Sequence, residues 1–260
     1  MIQKIKGNPY FIVSKLKLKE EKLFKINYIF LFIQLLIQSI IYYLFFSSFI
    51  DKEAMDFRQV VFYYISINFI FVSMEGAFYF AYEIMMSLQN GVLSTFMVKP
   101  FSFVKYKYFE KIGKVILVLI FNLTIISLIS LIIFNGINIL NTIIAFFVSI
   151  FSFTILFFIQ GIIGCFTYFF LDITRFRDVI YSILLIFGGK VLPIYLMPKK
   201  LISIIKYTPI PYIFDLPANI LRNDYTVNAL GFQFLWVILL GLIFILMYRF
   251  FIYKNIEVFS

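Results

Sequence analysis

The sequence predicts an all-α membrane protein with six transmembrane helices, a short inner-face helix after the second, and a re-entrant hairpin between the fifth and sixth. Three observations carry this. The chain is 63% apolar with a mean hydropathy of +0.99, well beyond a soluble domain of 260 residues. Its apolar runs reach the length of about 20 residues needed to cross hydrocarbon. Five of its seven prolines fall between Pro193 and Pro217, in a stretch too apolar for an ordinary water-exposed loop.

The spans follow from charge-free runs. Residues 27–50 carry no charge, and 59–82 carry only Glu75. Residues 115–171 are uncharged throughout, enough for two spans, and Asn135-Gly136-Ile137-Asn138 punctuates them as a turn. We therefore read 115–134 and 142–171 as spans three and four, 179–197 as span five and 231–248 as span six. Helices satisfy their own backbone groups in lipid, and the runs lack the alternation of a β-barrel.

The net charge is +10. With both termini inside, Lys and Arg concentrate in the amino tail and in the connection between spans two and three, the positive-inside distribution. The amino tail weighs most in that orientation. A bilayer explains the basic balance better than nucleic acid does. His is absent and Cys165 is the single cysteine, which excludes an intrachain disulfide, a His/Cys metal site and a His-activated nucleophile. The enrichment in Phe and Tyr fits interfacial belts, but Ile, Lys and Asn rise with them, as biased coding would produce.

Residues 1–26 form a basic segment with seven Lys and interspersed apolar residues. A helix lying on the inner membrane surface suits it; a solvated basic tail is the plainer alternative. In the inner region 84–114, Ile84, Leu88, Val92 and Phe96 recur every four residues, Gly91 interrupts the pattern and Pro100 ends it. Val92–Val98 is thus a two-turn helix of about 10 Å. Such a helix is a handle for a partner, or it seats spans two and three. Gly161, Gly164 and Cys165 share a face in span four, where small residues allow close helix approach.

In span five, Gly188-Gly189 weakens the helix and Pro193 breaks or kinks it. A short amphipathic helix over 196–207 follows, and Pro209, Pro211 and Pro217 prevent a continuous span. Residues 198–224 then read as partial helices dipping back from the outer face, or as an apolar loop packed over the helix ends. Glu75 and Lys190 are the ionisable groups well inside spans. Their depths, about 24 Å from the outer face and about 16 Å from the inner face, differ by a side chain's reach. Either they pair or line one polar path, or Lys190 snorkels outward from the glycine break.

Two motifs carry a resemblance: NGVLSTFMVKPFSF just after span two, and GGKVLPIYLMP with TPIPYIFDLP after span five. With six spans, they make residues 27–260 a transmembrane domain similar to that of the ABC-2 type permeases, small membrane subunits of ABC exporters. The resemblance implies a coupling helix at Gly91, Val92, Leu93, Phe96, Lys99 and Pro100 that docks on an ABC-type ATPase subunit. It implies an interface helix in the amino tail, an outer re-entrant hairpin, and a second permease, identical or paralogous, facing the shared path. On the path or gate we expect Glu75, Gly188, Gly189, Lys190 and Pro193; Lys190 departs from the family pattern. The expected location is the bacterial cytoplasmic membrane, multi-pass, with both termini cytoplasmic. The sequence has no P-loop, since Gly189-Lys190 lacks the upstream glycine and is followed by Val191. ATP and Mg would be bound by the partner, with no cofactor and no catalysis in this chain. Other readings of the same features are a non-transporting immunity or sensor subunit, a secondary carrier, and a membrane lipid enzyme.

Overall fold

The computed structural model describes residues 9–23, 30, 32–38, 40–41, 44–45, 57–98, 101–134, 136 and 138–253. Among them the fold is all-α, with no strand. Four stretches are long and apolar enough to cross a membrane: Arg58–Gln89, Phe103–Phe134, Ile139–Tyr168 and Val227–Ile252. These mark a membrane protein. Of span one, read over 27–50, residues 30, 32–38, 40–41 and 44–45 are described and helical, and the rest lie outside the described residues.

Helix α1 (Pro9–Leu23) packs along α5 (Phe103–Phe134). The contact is close because Gly113 has no side chain: a Cβ there would meet the Ser14 carbonyl oxygen at 2.7 Å. Tyr10 stacks on Phe109 and its hydroxyl accepts the Ser102 amide at 3.0 Å. The basic amino segment is therefore docked on the bundle through one face, while Phe11 and Leu16 stay exposed on another.

The first of these four stretches is built from α2 (Phe57–Phe78) and α3 (Phe80–Gln89), joined at Tyr79. Helix α3 ends with Asn90 as its cap and Gly91 at φ +67°, where the Gly91 amide donates to Leu88 O. The chain changes direction and α4 (Val92–Val98) follows. That turn resets the apolar face. The four-residue rhythm of Ile84 and Leu88 does not continue into Val92, which is exposed; Leu93 is buried instead.

Helix α5 begins twelve residues before the apolar run, so the basic stretch after Pro100 is helical and continuous with the span. After Phe134 the chain returns into α6 (Ile139–Cys165), with the Asn138 side chain accepting the Asn141 amide at the helix start. This hairpin matches the punctuation read in the sequence. The small-residue face of α6 meets two helices. A Cβ on Gly161 would lie 2.5 Å from the Phe244 ring, and one on Gly164 would lie 2.6 Å from Ile84.

The helix in span five is shorter than its apolar run. Helix α7 runs only over Thr174–Phe187, about 21 Å, short of a hydrocarbon core of about 30 Å. It starts where the exposed Asp172 carboxylate accepts the Thr174 amide at 2.8 Å, a bond that holds the Asp172 carboxyl below its usual range. It stops at Gly188, not at Pro193. Gly189 takes φ +88°, the Lys190 amide donates back to Leu185 O and the Gly189 amide to Ile186 O. This left-handed cap closes the helix outright, where the sequence suggested only weakening.

The chain then folds over the end of the bundle opposite α4. Short helices α8 (Lys199–Ile205) and α9 (Asp215–Leu221) flank a proline turn. Residues 211–218 are all buried, because α9 wedges between α2 and α6. The expectation that non-helical backbone here is sheltered by protein holds for this half; Lys199 and Lys200 remain exposed. Helix α10 (Val227–Met247) completes the bundle and runs into a π-helical turn at Tyr248–Tyr253. Its Gln233 amide nitrogen lies 2.9–3.1 Å from Val148 O, Ser152 Oγ and Tyr212 O, tying α10, α6 and the hairpin together.

Candidate functional site

One ridge of α2 organises the site. Tyr63, Ile67, Phe71 and Glu75 recur every four residues and so line one side of the helix. They run beside the end of α7, the Gly188-Gly189 cap and α9.

At one end of the ridge the Tyr63 hydroxyl lies 2.7 Å from Asp215 Oδ1 and 3.1 Å from the Gly189 carbonyl oxygen. Asn219 donates to the other Asp215 oxygen at 2.8 Å. The Arg222 guanidinium spreads over the Tyr63 and Tyr195 rings, 5.5 and 5.0 Å from their centroids, and reaches Asn219 and Gln59. A buried carboxylate is thus held by a phenol and an amide at the joint between α2, the α7 cap and α9. Tyr63, Asp215, Asn219 and Arg222 escaped the reading of the sequence. Asp215 had a signal: it is an acidic residue inside the apolar, proline-rich IFDLP. Tyr63 had none, since a Tyr in a span is ordinary.

In the middle, the Lys190 ammonium sits over the Phe71 ring, 3.0 Å from its centroid. Phe71 in turn packs on Phe78 and Phe214, at 5.5 and 5.6 Å. Glu75 lies one turn along the ridge from Phe71. No ion pair within 4.0 Å joins Glu75 to Lys190 among the described residues. An aromatic face receives the ammonium, and Glu75 acts on it from beyond ion-pair distance.

Glu75 instead borders a cleft of about 200 Å³ with Arg177, Asp178, Tyr181 and Gln160. Arg177 is held by Asp178 at 2.8 Å. Gln160 is fully buried, and neither atom of its amide has a hydrogen-bond partner among the described residues. A cleft with an acid, a base and an open amide can take up a polar or zwitterionic group.

Pro193 is buried at the start of the single 3-10 turn Ile194–Leu196, so it forms a packed corner rather than a kink within a span. Gly188 and Gly189 are both buried against Phe214 and Tyr63.

The second group of expected residues sits at the opposite end of the bundle. Gly91 makes the turn into α4. Val92 and Thr95 are exposed, whereas Leu93 is buried and Phe96 packs edge-on against Phe103 at 5.3 Å. Leu93 and Phe96 are accordingly anchors of α4 and not its free face. Lys99 and Pro100 lie outside the described residues. Close by, Glu83 on α3 binds Lys111 at 2.6 Å and Lys107 at 3.5 Å, locking α3 to α5 beside the base of α4.

No protein-family model matches the chain, and no curated protein matches it.

Proposed function

We propose that this chain is the membrane-spanning subunit of an ATP-driven exporter in the bacterial cytoplasmic membrane. It forms half of a translocation path with a second, identical or paralogous permease. ATP hydrolysis belongs to separate ABC-type ATPase subunits that bind ATP and Mg. The chain itself transmits work and does no chemistry.

The observation that carries this reading is the mounting of α4. Its Leu93 and Phe96 are clamped to the bundle while Val92 and Thr95 face out. A push on the exposed side would therefore pass through α3 and the Glu83–Lys111 link into α2 and α5. Helix α2 carries the Tyr63–Glu75 ridge, so the same movement would reach the α7 cap. The incomplete α7 and the buried α9 fit a path lined by broken helices, where irregular backbone is sheltered at membrane depth. Six spans and cytoplasmic termini belong to this reading, with residues 27–50 as the first span.

The test is a pull-down of the tagged protein in mild detergent, with mass spectrometry and an ATPase assay on what co-purifies. The expected result is a stoichiometric P-loop subunit that is lost in Val92→Asp and Thr95→Arg while the permease stays folded. A chain that purifies alone under several gentle conditions would overturn the exporter reading.

A further inference from the structure

A second cleft, away from the α2 ridge, has its own chemistry. It opens between the starts of α5 and the ends of α6 and α10 and encloses about 650 Å³. The apolar surface of its floor is offered by Phe109, Phe158 and Ile245, with Phe158 resting on the fully buried rings of Phe157 and Phe244. Gly161 keeps the floor low, since any side chain there would collide with Phe244. Lys105 and Arg249 stand at the rim, both exposed and neither in an ion pair within 4.0 Å among the described residues. The acidic residues nearest in sequence on α5 and α3 are committed elsewhere, Glu110 to Lys107 and Glu83 to Lys111 and Lys107. One turn in from Lys105, the Tyr108 hydroxyl and Thr154 Oγ1 share a hydrogen bond at 2.9 Å on the cleft wall.

We infer that this cleft binds one anionic phospholipid, with its phosphate between Lys105 and Arg249 and an acyl chain against Phe109, Phe158 and Ile245. The order of groups along the cleft decides the ligand. Cations lie at the end of the helices, a hydroxyl pair follows one turn deeper, and aromatic carbon lies beyond. A phospholipid presents the same order: phosphate, glycerol esters, hydrocarbon. Two unpaired cations at the rim select an anionic headgroup over a zwitterionic one. A free anion would leave the aromatic floor unfilled, and a neutral apolar solute would leave both cations unanswered. The site does not depend on what the chain transports.

Bromine on an acyl chain quenches indole fluorescence on contact, which allows a direct test. The full chain carries Phe158→Trp in a Trp236→Phe background, so that the cleft holds the single indole. It is reconstituted into vesicles mixing phosphatidylglycerol and phosphatidylcholine, with one or the other dibrominated. Cleft quenching is expected to favour phosphatidylglycerol by roughly thirtyfold, the preference two basic groups give at an anionic surface. Lys105→Ala with Arg249→Ala should bring the ratio near one. A reporter at the exposed Ile120 of α5 (Ile120→Trp) should show no preference in either background. Equal quenching by the two lipids in the cleft, or a preference that survives the double alanine change, overturns the proposal. Absence of quenching by any brominated lipid also overturns it, because a protein segment then fills the cleft. Should Phe158→Trp fail to fold, judged by gel filtration and helicity, Val104→Trp reports from the same cleft.

Discussion

The Tyr63 hydroxyl and Asp215 meet at 2.7 Å across a sequence separation of 152 residues. The contact fastens the start of α2 to the hairpin that follows the α7 cap. Tyr63 also touches the Gly189 carbonyl, so one phenol holds three separate pieces of chain together.

Tyr63→Phe should lower the stability of the purified protein by about 1–3 kcal/mol, because the buried Asp215 oxygen loses its donor. Thermal unfolding in detergent measures this. Asp215→Asn should cost less in the Tyr63→Phe background than in the wild type, as for two partners of one bond. Additive losses would mean the two side chains act independently.

The two left-handed glycines should respond differently to alanine. At Gly91 a Cβ meets only Ser94 Oγ at 3.9 Å, so Gly91→Ala should cost the backbone strain alone, about 1–2 kcal/mol. Gly91→Asn should recover part of it, since Asn tolerates this conformation. At Gly189 a Cβ would run into the Tyr63 hydroxyl, so Gly189→Ala should cost more than Gly91→Ala and release the Tyr63–Asp215 contact. Chemical-denaturation midpoints of the two variants decide it.

Gly161→Ala should destabilise the α6–α10 crossing, since its Cβ would lie 2.5 Å from Phe244. Phe244→Leu in the same chain should recover part of the loss by making room, giving a coupling of about 0.5–3 kcal/mol in a double-mutant cycle. A recovery near zero would mean that the two helices shift apart rather than clash.

Lys190→Met should leave the helix content unchanged. Its coupling with Phe71→Leu should be about 0.5–2 kcal/mol, the range for a cation on an aromatic face. Its coupling with Glu75→Gln should be smaller, because no ion pair joins the two. Unfolding measurements on the singles and doubles give both values. On the exporter reading, Lys190→Met should also slow export in vesicles that contain the ATPase; an unchanged rate would remove Lys190 from the path.

Glu83→Ala should weaken the α3–α5 link by on the order of 1–2 kcal/mol, between the values for exposed and buried pairs, since Lys107 and Lys111 are both partly buried. High salt should reproduce part of the loss in the wild type and little in the variant.

Local chemistry determined much of this protein. Runs with at most one charge located the crossings from α2 to α6 and at α10, because an apolar stretch of that length has no comfortable place outside hydrocarbon or a large core. Asn138 caps the start of α6, and Gly91 sets the start of α4. These are properties of neighbouring residues, and neighbours in sequence suffice to read them.

What only the tertiary structure decided depends on which groups meet. Apolar residues in 179–197 look like a span, yet the chain leaves the helix in a left-handed cap at Gly189, where the hydroxyl of Tyr63, far away in the chain, donates to the Gly189 carbonyl. Hydropathy therefore read helix through residues where α7 has already stopped. Depths within a side chain's reach left pairing of Glu75 and Lys190 open, but depth says nothing of azimuth, and the Phe71 ring takes the ammonium on the same ridge. The rhythm through Val92 pointed to one apolar face, until the turn at Gly91 rotated it and buried Leu93. Asp215 joined the site because α9 is wedged between α2 and α6, a placement fixed by packing across the bundle and by no residue near it in sequence.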